Sequence, residues 1–369
     1  MNVRSVTKAK TETYPMIPLN AGQVRDWKTI PIRDSGHPDP LVPLGSLSTE
    51  AGILTSSVYF GEHTNSPYSG DIYRLEGSLL TLFVRQSTAH RLLAAEQLLP
   101  TGYYLLVFDA YRPYQVQKSL HDFYKQKLSE KHPYMDHEAL EVETQKYVSI
   151  PSKNSARPSP HSTGGAVDLA IVRVDLPHEK DVRRIRSHLA DISLGIAKRV
   201  DLEMQLSAVM RRHARILDFG TAFDHGGKES ALTYYESRIA AGEMLTANEK
   251  HACYNRRLLF HAMTQAGLQP YFAEWWHFNA PESQMGAAVA GLSFATFRAA
   301  ELDDSNIAYE NTRLRIRQEM LSRLQSKEKL DISRKAPETE SLATIHETGD
   351  PRLTWDWPVE IIAPSEISG

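Results

Sequence analysis

The sequence predicts an α+β fold. Two apolar runs of strand length, Tyr103-Tyr-Leu-Leu-Val-Phe-Asp109 and Ala166-Val-Asp-Leu-Ala-Ile-Val-Arg-Val174, lie between segments whose apolar residues recur at helical spacing. Strands and helices thus mix along the chain without an internal repeat, which argues one α+β body with helical additions.

Taken in order, residues 1–49 read as an irregular N-terminal arm lying on the body, because Pro38, Pro40, Pro43 and Gly45 punctuate it. A helix follows from Ser87, where Leu92, Leu93, Ala95, Leu98 and Leu99 keep near a helical period until Pro100-Thr101-Gly102 ends it. The run 103–109 is a buried strand. Pro113 then fits the first turn of a helix continuing through Val116, Leu120, Phe123 and Tyr124.

After the strand 166–174, residues 181–216 read as helical: Ile185, Leu189, Ile192 and Ile196 step by four, three and four, and Leu202, Leu206 and Val209 continue the habit. Arg183, Arg184, Arg186, Lys198, Arg199, Arg211, Arg212 and Arg215 occupy the other face. Interleaved Asp191, Asp201 and Glu203 favour a solvated face over a nucleic-acid surface. Thr246-Ala-Asn-Glu249 has the spacing of a capping box, and the helix it opens stops at Gly267 before Pro270. A strand over 275–278, an Ala-rich helix over 285–300, a charged helix over 311–330 and a polar tail with Trp355, Trp357, Ile361 and Ile362 complete the reading.

Composition limits the function. The 369 residues allow two domains or one enlarged one, at roughly 150 residues per domain. With 42 Lys+Arg against 45 Asp+Glu, the formal charge of -3 gives no reason to expect a polyanionic partner. The single Cys253 excludes an intramolecular disulfide framework and a Cys-rich zinc cluster, while fifteen His leave a His/carboxylate metal site open. The start carries Arg4, Lys8, Lys10 and Glu12 without an apolar h-region, and no run of about 18 apolar residues follows, so a cytoplasmic protein without a membrane partner is expected.

The richest chemistry lies in Ser159-Pro-His-Ser-Thr-Gly-Gly-Ala-Val-Asp168, where a turn at the Gly pair can fold His161 and Asp168 toward one point. Glu274-Trp-Trp-His277 adds a second imidazole and carboxylate. Alone, His-x6-Asp is more often a loop hydrogen bond and Glu-x-x-His a surface pair. Together they supply enough for a catalytic zinc with three protein ligands, an open position and a spare carboxylate as base. Arg112, in Asp109-Ala-Tyr-Arg-Pro113, offers a planar, permanently charged donor fork suited to an oxyanion; a structural bridge to Asp109 is the competing reading.

These segments, with Gly220-Thr-Ala-Phe-Asp224 and Asn255-Arg-Arg-Leu-Leu, occur in the order found in the D-Ala-D-Ala dipeptidases, so the chain resembles the VanX-type zinc peptidases over residues 50–280. The resemblance implies a central antiparallel sheet flanked by helices. It also implies one zinc ion held by His161, Asp168 and His277, with Glu274 as general base and Arg112 stabilising the tetrahedral intermediate. Asp224 then resembles the aspartate that binds the substrate ammonium, Ser159 a serine contacting the dipeptide, and Tyr59 a tyrosine of the N-terminal substrate wall. A buried carboxylate at Asp224 would select by length, since a longer peptide presents a neutral amide there and leaves the charge unpaired.

The implied activity is hydrolysis of D-Ala-D-Ala or a similar dipeptide by zinc-activated water. The competing readings are a D,D-carboxypeptidase on longer peptidoglycan peptides and a non-catalytic zinc-containing binding module. A homo-oligomer stays open. The expected organisation is an arm over 1–49, a zinc dipeptidase domain over 50–280 with a helical insertion at about 175–217, and a helical extension and tail over 281–369. The insertion could lid the cleft, mediate dimerisation or hold a partner. Two decoys fail: Gly226-Gly227-Lys228-Glu229 lacks the hydroxyl residue of a phosphate loop, and Cys253 has no marked base.

Overall fold

The computed structural model describes residues 14–19, 26–45, 52–61, 75–145, 148, 150–151, 153–154, 156–191 and 193–334, with side chains to 326. The tail tryptophans and isoleucines lie outside the described residues. The elements in chain order are β1 (Leu41–Pro43), β2 (Leu54–Thr55), β3 (Phe83–Arg85), α1 (Gln86–Gln97), β4 (Tyr103–Asp109), α2 (Tyr114–Lys131), α3 (His137–Thr144), β5 (Ala166–Val174), α4 (Leu176–Leu189), α5 (Ile196–His213) and β6 (Ala214–Ile216). They continue with α6 (Tyr234–Ala240), α7 (Ala247–Gln265), β7 (Gln269–Pro270), β8 (His277–Asn279), α8 (Gln284–Val289) and α9 (Asp304–Arg334).

The fold is α+β. The main sheet runs β2-β4-β5-β8-β7, with β6 also on β5; every pair is antiparallel except β2 with β4, so the sheet is mixed. β4 and β5 form where the apolar runs predict. All of β5 except Arg173 is buried, so it reads as a continuous apolar stretch rather than an alternation. One hydrophobic core joins these strands to Leu92 of α1, Leu259 and Met263 of α7, and Ile316 of α9. No helix among the described residues is long and apolar enough to cross a membrane.

Several expectations shift. Residues 181–216 are two helices and a strand. Asp191 Oδ1 takes the Ser193 N–H and hydroxyl, an Asx turn that competes with the helical ladder, and Gly195 then caps α5. The expected helix over 285–300 lasts only through α8, because Gly291 turns left-handed at φ 71° and Leu292 N bonds back to Ala287 O. The strand expected at 275–278 is β8, shifted toward Asn279. Pro113 caps α2 rather than entering it, and the arm contains β1, paired with β3.

The insertion is not a detached layer. Val182, Ile185 and Leu189 of α4 and Val200, Leu206 and Met210 of α5 join the main core, and β6 pairs with the Val172–Val174 end of β5. Its cations are largely engaged: Arg183 bonds Glu179, Arg186 bonds Glu96 and Gly52 O, and Arg199 bonds Leu194 O and Asp191 O.

Candidate metal centre and active site

The sheet register assembles the site. β4–β5 pairing sets Asp109 opposite Asp168, and β5–β8 pairing sets Asp168 opposite His277. Directly opposed residues of an antiparallel pair share a face, so three polar side chains form one row across three strands. A bulge between Val107 and Asp109 re-aims the end of β4 into that row. His161 arrives from a 3-10 turn, His161–Thr163, closed by Gly164 at φ 72°; a Cβ there would collide with the Leu41 side chain. Arg112 N donates to His161 O at 3.2 Å, tying the arginine loop to this turn.

His161, Asp168 and His277 are buried and converge as a potential metal site. His161 Nε2 lies 3.2 Å from His277 Nδ1, His277 Nδ1 lies 2.9 Å from Asp168 Oδ1, and His161 Nε2 lies 3.5 Å from Asp168 Oδ2. A tetrahedral ion with bonds of about 2.0–2.1 Å separates its ligand atoms by roughly 3.3 Å, so the donor triangle has the right size. The outer partners fit as well. His161 Nδ1 faces Ala110 O at 2.9 Å, and His277 Nε2 faces Asn279 Oδ1 at 3.2 Å. Donation to these oxygens leaves a lone pair on Nε2 of His161 and on Nδ1 of His277, both aimed at the shared point. Burial opposes charge on Asp168, yet the two imidazoles hold its carboxyl well below the usual range.

Glu274 sits at the turn before β8 with Oε2 3.8 Å from His277 Nδ1. Burial raises its carboxyl above the ordinary value; His277 works against this shift and Asp168 adds to it. Arg112 bonds Asp109 through Nε and Nη2 and Gln117 Oε1 through Nη1, while its guanidinium stands 4.7 Å over the Tyr59 ring. Arg112 therefore makes the bridge to Asp109 while also lining the cleft.

That cleft has a volume of about 290 Å³. It brings together all eight sequence-predicted site residues, His161, Asp168, His277, Glu274, Arg112, Asp224, Ser159 and Tyr59. Asp224, left-handed at φ 61°, lines the cleft but is exposed there, so the buried carboxylate expected at this position is not found; Tyr124 OH donates to it at 3.3 Å. Desolvation, then the carboxylates of Glu274 and Asp168, push it up to about 7. It does not cap α6, whose N-cap is Thr233. Ser159 Oγ also accepts from Ser162 N at 3.3 Å, bracing the histidine turn.

Other contributors escaped sequence reasoning. Asp109 Oδ2 lies 3.2 Å from His161 Nδ1 as well as on Arg112. Asn279 was within reach, because residues i and i+2 of a strand share a face with His277. Trp27 and Lys28 from the arm and Met285 from α8 also line the cleft, and no sequence pattern marks them. Among the described residues, none from the insertion lines the cleft. The remaining histidines with carboxylates nearby, such as His121 with Glu141 and His225 with Glu229, form pairs without a third metal ligand among the described residues. Burial pushes the Cys253 thiol up to about 11, consistent with a packing role.

Comparison with known proteins points the same way as the motifs. Residues 178–294 match the Peptidase_M15 family, described as D-ala-D-ala dipeptidase. A D-alanyl-D-alanine dipeptidase of Synechocystis sp. is 24% identical over 272 residues, covering 69% of this chain and 87% of that protein. The family match includes Asp224, Glu274 and His277, and supports a peptidase.

Proposed function

We propose that the protein is a zinc-dependent dipeptidase acting on D-Ala-D-Ala or a similar dipeptide. The observation that carries this reading is the convergence of His161, Asp168 and His277 with Glu274 Oε2 3.8 Å from His277 Nδ1. A spare carboxylate beside a three-donor set is unnecessary for holding a metal and suited to moving a proton. Zinc, when bound by the three donors, supplies Lewis acidity that polarises the scissile carbonyl and acidifies water.

The chain's own groups do the rest. Glu274 takes the proton of the attacking water and delivers it to the leaving amine, a task favoured by a carboxyl raised above its ordinary value by burial. Arg112 has five N–H donors, three of them engaged by Asp109 and Gln117. The remaining two meet the oxyanion, and the Asp109 and Gln117 bonds hold them in place beforehand. Asp224 pairs with the substrate ammonium, while Ser159 and Tyr59 flank the backbone.

The small cleft favours a dipeptide over a longer peptide, since volumes near 300 Å³ lie at the bottom of the range for small-molecule sites, and Asp224 on its lining offers the free ammonium a partner. The test compares D-Ala-D-Ala with its N-acetyl derivative on zinc-loaded protein. Free dipeptide should be cleaved and the blocked one rejected; the reverse preference would establish the carboxypeptidase alternative. Glu274→Gln should retain zinc by metal analysis while kcat falls about 10²–10⁴-fold, the usual contribution of a general acid–base. Full activity in that variant would remove Glu274 from its role.

A further inference from the structure

The arm outside the resemblance places a cation at the cleft. Asp26 caps a 3-10 turn, Trp27–Thr29, by accepting the Lys28 N–H at 3.0 Å, and the turn delivers Trp27 and Lys28 to the lining of the site. The turn is anchored. Ile30 is buried with Ala287, Ala288 and Ala295 against the half-buried Trp27. Gln284 Nε2 of α8 donates to Ile30 O at 2.6 Å, Ala295 N to Pro31 O at 2.9 Å, and Arg33 N to Ala295 O at 2.8 Å. Lys28 therefore projects from a fixed backbone, with its ammonium 5.5 Å from the centre of the Trp27 ring.

The charges of the cleft are uneven. Asp168, Glu274 and Asp224 face it, against Arg112 and Lys28 apart from the imidazoles. Arg112 gives three donors to Asp109 and Gln117, and its remaining two are assigned to the oxyanion. No carboxylate among the described residues pairs with Lys28, so its charge remains available to a ligand. A free dipeptide is a zwitterion. Its ammonium has Asp224, and its carboxylate needs a cation that is not already engaged.

We propose that Lys28 receives the C-terminal carboxylate of the substrate and thereby selects peptides with a free C-terminus. This rests on the dipeptidase reading above and adds a specificity residue to it. In this arrangement the arm and α8, from either side of residues 50–280, both contribute to the lining of the cleft.

The test measures kcat/KM of zinc-loaded wild type, Lys28→Ala, Lys28→Arg and Lys28→Glu on D-Ala-D-Ala and on its C-terminal amide. In Lys28→Ala the preference for acid over amide should fall about tenfold, mainly through KM on the acid, consistent with loss of a partly exposed charge pair. Lys28→Arg should keep most of the preference and Lys28→Glu should reverse it. An unchanged preference in Lys28→Ala, or an equal loss on both compounds, overturns the proposal while leaving the dipeptidase intact. A wild type that cleaves neither compound overturns the dipeptidase reading and this one with it. Calorimetric binding of D-Ala-D-Ala to Glu274→Gln, with and without Lys28→Ala, reads the same contact without turnover and should show about a tenfold weaker Kd.

Discussion

At the residue scale, Asp224 shows how position sets chemistry. Its left-handed backbone at φ 61° is uncommon for a residue with a side chain, and aspartate tolerates it better than most. Desolvation first, and then the negative charges of Glu274 and Asp168 across the cleft, raise its carboxyl to about 7. Pairing with an ammonium requires the ionised form. Below pH 7 the ionised fraction falls about tenfold per unit, so KM for the dipeptide should drop as pH rises from 5 toward 7 and then level. Asp224→Asn, uncharged throughout, should raise KM and flatten that limb. A wild-type KM that stays constant from pH 5 to 7 would show that Asp224 does not bind the ammonium.

At the scale of elements, legibility followed the range of the forces involved. β4 and β5 could be read directly because continuous apolar runs leave few alternatives, and the His161, Asp168, Glu274 and His277 segments could be read because their spacing is local. The break in 181–216 could not, since Asp191 and Ser193 interrupt a helix through side-chain bonds while the apolar period runs on. Asp109 and Lys28 stayed hidden as site residues because their places depend on a bulge and on the packing of a distant arm. The Thr246-Ala-Asn-Glu249 box was legible and forms, with Thr246 Oγ1 accepting from Glu249 N and Glu249 Oε2 from Thr246 N. The Arg238 bond first, and then the Thr246 N–H and hydroxyl, depress the Glu249 carboxyl to about 2. Its folded value lies below the unfolded one, so its contribution is present above about pH 4.5 and is lost as pH falls toward 2. Thr246→Ala should cost about 1 kcal/mol in urea unfolding at pH 7, with kcat unchanged.

On the scale of the whole molecule, the chain's far end supports the site from behind. α9 sends Ile316 and Met320 into the main core, and Asn306 Nδ2 donates to Leu41 O at 3.2 Å. Its Glu310, buried, accepts Leu80 N at 2.8 Å and Thr81 N at 2.9 Å. Two residues on, Phe83 O of β3 accepts Tyr111 N at 2.8 Å, the residue before Arg112. A path of hydrogen bonds thus runs from the Glu310 side chain of α9 through β3 to the arginine loop. Glu310→Ala removes both acceptors and leaves two buried N–H groups unpaired, a loss of about 2–6 kcal/mol at about 1–3 for each. Glu310→Gln keeps one carbonyl oxygen and should lose about half as much. If the path also positions Arg112, kcat on D-Ala-D-Ala should fall severalfold in Glu310→Ala under conditions where circular dichroism shows it folded, with KM little changed. A kcat equal to wild type in folded Glu310→Ala would confine Glu310 to stability alone and detach α9 from the chemistry.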